Sequence, residues 1–303
     1  MNSKKPDCIS PNGGGGLLRF TKMHGIGNDY VYINCLHGSP SPLPELSRFL
    51  SDRHKGIGGD GIILICPSSI ADFKMRIFNA DGSEARMCGN GSRCVAKYVF
   101  DFGLTDKTNI TLETLSGVKY ISMSLGEDGL VDAATVDMGA PVLTPAEIPV
   151  VADENFGIAV KIGDEELTVN AISMGNPHGV VFVDDLDTVD VYGLGRQLEV
   201  HPMWPDRANI EFAQILNPKE IRMRVWERGS GETQACGTGA CATAVAAMLS
   251  GLADRSGVAV HLLGGDLRIS LDEKTGHVMM TGPATTVFTG EILLPPMYQC
   301  EKS

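Results

Sequence analysis

No apolar stretch in this chain approaches the roughly 18 residues that a membrane-spanning helix needs, so a membrane protein of that type is not expected. Basic residues are outnumbered, 25 Lys and Arg against 37 Asp and Glu, and nowhere do they gather into a run. That balance opposes binding to a polyphosphate backbone, and nucleic acid is set aside as a partner. No Cys-x-x-Cys motif occurs among the eight cysteines. The opening MNSKKPDCISPNGGGG has two lysines without an apolar core behind them, so residues 1–16 read as a flexible tail and Cys8 as a bystander thiol. Disulfide frameworks belong to short secreted chains, whereas 303 residues without a signal imply reduced thiols and a cytoplasmic location.

What is present is the composition of an ordinary globular protein, 43% hydrophobic and long enough for two cores. Strand-like segments dominate, from Leu18–Met23, Tyr30–Asn34, Ile62–Cys66 and Lys74–Phe78 through Ile210–Leu216, Arg222–Trp226 and Val258–Leu262 to Val278–Thr281. Cys35 and Cys66 lie in such apolar runs and read as small buried hydrophobes. Two helices stand out, about 91–102 and 239–252. The second, GACATAVAAMLSGL, is small or apolar on every face, the pattern of a helix enclosed by strands. Shorter surface helices are expected at 45–52 and 189–199.

An internal repeat organises the chain. MRIFNADGSEARMCGNG, Met75–Gly91, matches MRVWERGSGETQACGTG, Met223–Gly239, at an offset of 148 residues. Two similar domains, each presenting a cysteine, follow from it: 17–136, completed by 283–303 and carrying Cys88, and 137–282, carrying Cys236. In each, a strand leads through a polar loop to Cys-Gly-x-Gly and a helix, so the cysteine meets unpaired N–H groups and the positive end of the helix dipole. A thiolate is favoured there, below the free value of about 8.5. The same N–H groups suit a carboxylate and the charge that develops beside it when Cα loses a proton. Two such domains meeting at a cleft place one proton-transfer group on each side of an amino acid, the geometry that inverts a stereocentre.

HGIGNDY (24–30), RHKGIGGDG (53–61), FNADGSEARMCGNGSRC (78–94), GNPHGV (175–180), ANIEF (208–212) and ERGSGETQACGTGA (227–240) follow one another in the order characteristic of the diaminopimelate epimerase family, which the chain resembles from about residue 20 to 290. The resemblance implies an α+β fold of two pseudo-symmetric domains, each a mixed, barrel-like sheet wrapped around a central helix, with the active site in the interdomain cleft. It implies Cys88 and Cys236 as the acid–base pair, with His178 and Glu227 tuning them. Gly89, Asn90, Gly237 and Thr238 would offer main-chain contacts to the carboxylate at the reacting centre, joined by Asn28. Asn79, Asn176, Asn209, Glu227 and Arg228 would hold the distal amino-acid end. Gly61 is a departure, since many relatives carry Gln there. A homodimer, an amino-acid substrate and no cofactor complete the implication.

Gly56–Gly61 satisfies G-x-G-x-x-G but lacks a strand before it and a helix after it, so a cleft-shaping turn is expected rather than a nucleotide loop. Asp184, Asp185, Asp187 and Asp190 read as a solvated surface, and no metal is expected. Cys94 and Cys241, beyond the first helical turns, read as packing residues. Three functions stay open: epimerisation of LL- and meso-2,6-diaminopimelate, a related racemase or isomerase of the same fold acting on another amino acid such as a proline-type substrate, and a dithiol oxidoreductase using Cys88 and Cys236.

Overall fold

A computed structural model describes residues 8–9 and 16–301. Most of the expected tail lies outside the described residues; Cys8–Ile9 form a short strand antiparallel to Leu17–Leu18. The chain divides into two compact units, one running to Val136 and resuming at Gly282, the other spanning Asp137–Thr281. Among the described residues no helix is long and apolar enough to cross a membrane.

In the first unit, Thr285–Leu293 pairs antiparallel with Leu17–Gly25, and that strand pairs antiparallel with Asn28–Asn34. Gly61–Cys66 then joins in parallel, Phe73–Asn79 antiparallel, Asn109–Thr114 parallel, and Gly117–Leu125 and Val131–Asp137 antiparallel. The second unit repeats this sequence of pairings with Ile158–Ile162, Glu165–Ser173, Pro177–Phe182, Asn209–Asn217, Glu220–Glu227, Val258–Leu262, Gly265–Leu271 and Val278–Pro283. The two units are therefore topological copies, each a mixed sheet.

Among the described residues four α-helices serve the two sheets: α1 (Leu43–Ser51) and α2 (Gly89–Asp101) in the first unit, α3 (Val191–Glu199) and α4 (Gly237–Leu249) in the second. The central strands of each sheet are covered on both faces, which is why GIILIC, Gly61–Cys66, is a continuous apolar run rather than an alternating one. Ile62 and Leu64 join Leu46 and Leu50 of α1 in one core, while Ile63 faces the first turn of α2. In the second unit Ile210 and Phe212 pack with Val191 and Leu198 of α3. Helix α4 packs against six strands and buries every residue except Thr238 and Leu249, because its alanines and glycines let strands approach from all sides.

Both central helices begin two residues earlier than their hydrophobic pattern indicates. Cys88 and Cys236 are the N-caps themselves, and each sulfur accepts the amide N–H three residues on, satisfying a donor that the helix leaves unpaired. At the other end α4 stops at Leu249 rather than Leu252: Gly251 adopts φ +74° and the Leu252 N–H turns back to the Ala247 carbonyl. The acidic stretch near 184–190 is spent on local structure. Asp185 and Asp190 cap the Leu186–Thr188 turn and α3, and Asp187 pairs with Arg222 at 2.7 Å.

Candidate active site

The repeat seen in the sequence extends into the geometry. Arg76 grips Glu84 through Nε at 2.7 Å and Nη2 at 3.1 Å, and Arg224 grips Glu232 at 2.7 and 3.0 Å. These bidentate pairs brace the short return strands that lead to each cysteine. Cys88 and Cys236 then occupy the same extended conformation, φ −141° and −117°, before helices of 13 residues each. Strand register carries the 148-residue offset further: Tyr30 lies opposite Gly61, and His178 opposite Asn209. Asn28 thus corresponds to Asn176, Ile63 to Glu211 and Asn79 to Glu227.

In the first unit the Cys88 sulfur accepts from the Gly91 N–H at 3.2 Å and its thiol donates to Asn28 Oδ1 at 3.3 Å. Asn90 Nδ2 reaches the same oxygen at 3.4 Å, so Asn28, Cys88 and Asn90 form one group. Asn28 is oriented from behind by Asp60, whose Oδ2 accepts from Asn28 Nδ2 at 2.8 Å and from the Asp29 N–H at 3.0 Å. Burial and the Asp29 carboxylate push the Asp60 carboxyl above its usual range. Burial acts on Asp29 in the same direction but is outweighed by hydrogen bonds from Arg53 and Lys22, so Asp29 stays below its usual range. Lys22, nearly buried, contacts Asp29 at 2.6 Å and donates to the Gly58 carbonyl.

Gly61 and Asn79 face each other across the adjoining strands. A Cβ at Gly61 would stand 2.1 Å from the Phe78 carbonyl oxygen and 2.9 Å from the Tyr30 ring, so this chain has no room for a Gln there without moving a strand. Asn79 Nδ2 donates to Ser83 Oγ at 3.1 Å. The turn at Gly56–Gly61 follows α1 and leads into a strand, the reverse of a dinucleotide-binding arrangement.

Arg93, fully buried in α2, donates from Nη2 to Asn90 Oδ1 at 3.0 Å and from Nε to the Pro283 carbonyl at 3.2 Å. It ties the chain's returning segment to the helix that holds Cys88. Arg93→Met is expected to strip both acceptors of this partner, at about 2–4 kcal/mol. Urea denaturation checks this, and a midpoint equal to that of the parent protein would refute it.

The second unit assembles a more charged group. The Cys236 sulfur accepts from the Gly239 N–H at 3.4 Å and lies 3.5 Å from Thr238 Oγ1. His178 and Glu211 are wholly buried, with His178 Nδ1 2.7 Å from Glu211 Oε1 and Nε2 3.1 Å from Asn176 Oδ1. Glu227 accepts from the Thr233 hydroxyl at 2.5 Å; burial, then the Glu211 carboxylate, push its carboxyl up. Both residues expected to tune the cysteines, His178 and Glu227, lie in this unit with Cys236. Asn209 accepts the Arg228 N–H at 2.8 Å, and the exposed Arg228 side chain donates from Nη1 to the Asp206 carbonyl at 2.8 Å.

One expectation is reversed here. Helix N-termini lower thiols, yet the Cys236 thiol is pushed well above its ordinary value, first by burial and then by the Glu227 and Glu211 carboxylates. Two weak N–H and hydroxyl contacts do not offset desolvation beside two carboxylates. Cys66 also departs from the reading of an inert hydrophobe: it is half-buried, and a hydrogen bond from Cys35 holds its thiol below the ordinary value. Cys35, Cys94 and Cys241 are buried as expected.

Glu211, Asp60, Arg93 and Glu199 are the residues that the motifs did not single out. Glu199 is buried and accepts from Trp226 Nε1 at 2.8 Å and from the Gly229 N–H at 3.0 Å, so it shapes the loop bearing Arg228. A charged residue inside an apolar strand, such as Glu211 between Ile210 and Phe212, was the available signal; alternation alone reads it as facing water. Among the described residues no cluster of His, Cys, Asp and Glu is placed to hold a metal ion.

Comparison with known proteins adds independent findings. The family model described as diaminopimelate epimerase matches residues 20–144 and 170–287. Diaminopimelate epimerase of Acetivibrio thermocellus is 50% identical over 277 residues, covering 91% of this chain and 98% of the relative. Those of Agathobacter rectalis and Bacteroides thetaiotaomicron are 52% and 53% identical, each over 91% of this chain, covering 99% and 98% of the relative. Among solved structures, a phenazine biosynthesis protein of the PhzF family from Bacillus anthracis aligns with a TM-score of 0.66 at 19% identity, covering 92% of this chain and 99% of that one. A hydroxyproline epimerase from Agrobacterium vitis, with bound trans-4-hydroxy-L-proline, aligns at 0.66 and 16%, covering 93% and 92%. At such identities these two likenesses establish the fold alone, an α+β arrangement of two mixed-sheet domains.

Proposed function

The chain belongs to the diaminopimelate epimerase family of isomerases, and on that premise we propose that it interconverts LL- and meso-2,6-diaminopimelate by passing a Cα proton between Cys88 and Cys236. The observation that carries the residue assignment is the duplicated cap: two cysteines, 148 residues apart, each accepting the third amide of its own helix. Inversion at one carbon requires a base on one face and an acid on the other, and two equivalent groups supply both without moving.

One sulfur must rest as thiolate and the other as thiol. Burial and the carboxylates of Glu227 and Glu211 favour the protonated form of Cys236, so the resting base is assigned to Cys88, which gives up its contact with Asn28 Oδ1 on losing its proton. Cys88 takes the Cα proton while Cys236 delivers its own to the opposite face, leaving the thiol and thiolate exchanged and the reverse reaction ready to run. The amides of Gly89, Asn90, Gly237 and Thr238, at the positive helix ends, hold the α-carboxylate and the charge that develops next to it, with Asn28 at the same end. Asn79, Asn176, Asn209, Glu227 and Arg228 bind the distal ammonium and carboxylate.

The same reading has the enzyme act in lysine synthesis as a cytoplasmic homodimer, with no cofactor, because thiols and helix ends provide base, acid and anion stabilisation locally. Incubation with LL-diaminopimelate and no added cofactor, followed by chiral separation, is expected to yield the meso form, while proline is left unchanged. Racemised proline with untouched diaminopimelate would overturn the substrate.

A further inference from the structure

The two half-sites are built alike down to the residue beneath the helix. Where a Cβ on Gly91 would stand 2.6 Å from Ile63 Cδ1, a Cβ on Gly239 would stand 2.5 Å from Glu211 Oε1. Ile63 and Glu211 are 148 residues apart and sit third in their strands, so they occupy the same position of the repeat. One helix end rests on a methyl group, the other on a carboxylate. Tyr30 and His178 form a second such pair, and His178 spends Nδ1 on Glu211.

Burying a carboxylate is costly, and Glu211 is enclosed completely, with Oε2 lacking a hydrogen-bond partner among the described residues. An apolar residue fills the same place in the first unit without that cost. The neighbouring titratable groups are Cys236 at the N-cap of α4, Glu227 on the strand Glu220–Glu227 and His178 on the strand Pro177–Phe182. Among the described residues neither lysine nor arginine is hydrogen-bonded to the Glu211 carboxylate.

We infer that Glu211 is a positioning residue for proton transfer: it fixes the His178 ring through Nδ1, and its charge under the first turn of α4, added to that of Glu227, makes the Cys236 half the acid side of the pair. This rests on the proposed role of Cys236 in proton transfer. The repeat supplies two similar sulfurs, and replacing Ile63, Tyr30 and Asn79 of the first unit by Glu211, His178 and Glu227 in the second makes them unequal, which an acid–base pair needs at rest.

The test reads the sulfur without using a substrate. In the full-length protein carrying Cys88→Ala, iodoacetamide labelling of the Cys236 peptide is followed by mass spectrometry across pH, with and without Glu211→Gln. Removing a negative charge beside a thiol favours the thiolate, so the midpoint is expected to move to lower pH by about one unit. In the Cys88-intact enzyme, Glu211→Gln is expected to lower kcat about 10- to 100-fold with KM within threefold, and the alkaline limb of the kcat profile should move down with the labelling midpoint. An unmoved midpoint in a folded variant overturns the assignment. Should Glu211→Gln not fold, Glu211→Asp retains the charge but withdraws it one methylene from His178; full wild-type kcat in that variant also overturns it. A shifted midpoint in a protein that leaves diaminopimelate unchanged would sink the substrate and keep Glu211's role, so the two failures are distinguishable.

Discussion

Either Cys88→Ala or Cys236→Ala is expected to abolish inversion, with turnover of LL-diaminopimelate falling about 10⁴-fold, the upper end of what a single acid or base contributes. The size follows from the proposed arrangement, in which each sulfur alone serves one face and nothing nearby on its own helix can replace it. Both sulfurs are held by the amide three residues on, at 3.2 and 3.4 Å, so removing one leaves the other's cap intact. Loss of a cap interaction costs about 1 kcal/mol, which folding survives. Isotope labelling separates this mechanism from a single mobile base. In deuterated water the sulfur that protonates the carbanion carries solvent deuterium, so product formed from either isomer is expected to be labelled at Cα while unreacted substrate initially stays unlabelled. Early labelling of recovered substrate by the wild type, or normal epimerisation by either Ala variant, would defeat the pairing of Cys88 with Cys236.

Arg228→Ala is expected to reduce kcat/KM for diaminopimelate by about 2–5 kcal/mol, or roughly 30- to 5000-fold, while leaving the fold unchanged. Its side chain is exposed and touches protein through one donor to the Asp206 carbonyl, so little packing is lost. The loop itself is held by other groups: the Arg228 N–H by Asn209, the Gly229 N–H by Glu199, and the indole of Trp226 by the same Glu199. What the variant removes is the charge-assisted partner of the distal substrate carboxylate. Circular dichroism together with steady-state kinetics checks the claim. Wild-type kinetics in a folded variant would move the distal site elsewhere and reopen the choice of substrate.

The chemistry of the site was legible wherever it depends on short spacing. Cys-Gly-x-Gly at the end of a strand and loop is a local pattern, and it located both helix starts to within two residues. The repeat of Met75–Gly91 in Met223–Gly239 separated the two domains for the same reason, since a duplicated unit leaves its strand, turn and helix signals in register. The strand Thr285–Leu293 is not legible in the sequence because its alternation is weak and most of its side chains face out; it exists because Leu17–Gly25 offers an edge to pair with.

By itself, the sequence determined that two cysteines would stand at the starts of two helices in two copies of one unit, because turn, helix-start and enclosed-helix patterns are set by neighbours a few residues apart. Only the tertiary structure decided the environment of each sulfur. Ile63 and Glu211 belong to strands that are covered on both faces, so which residues lie beneath a helix depends on the packing of segments far apart in the chain. That packing puts a methyl group under Cys88's helix and a desolvated carboxylate under that of Cys236, and desolvation next to carboxylates reverses the thiol shift that a helix N-terminus alone would produce.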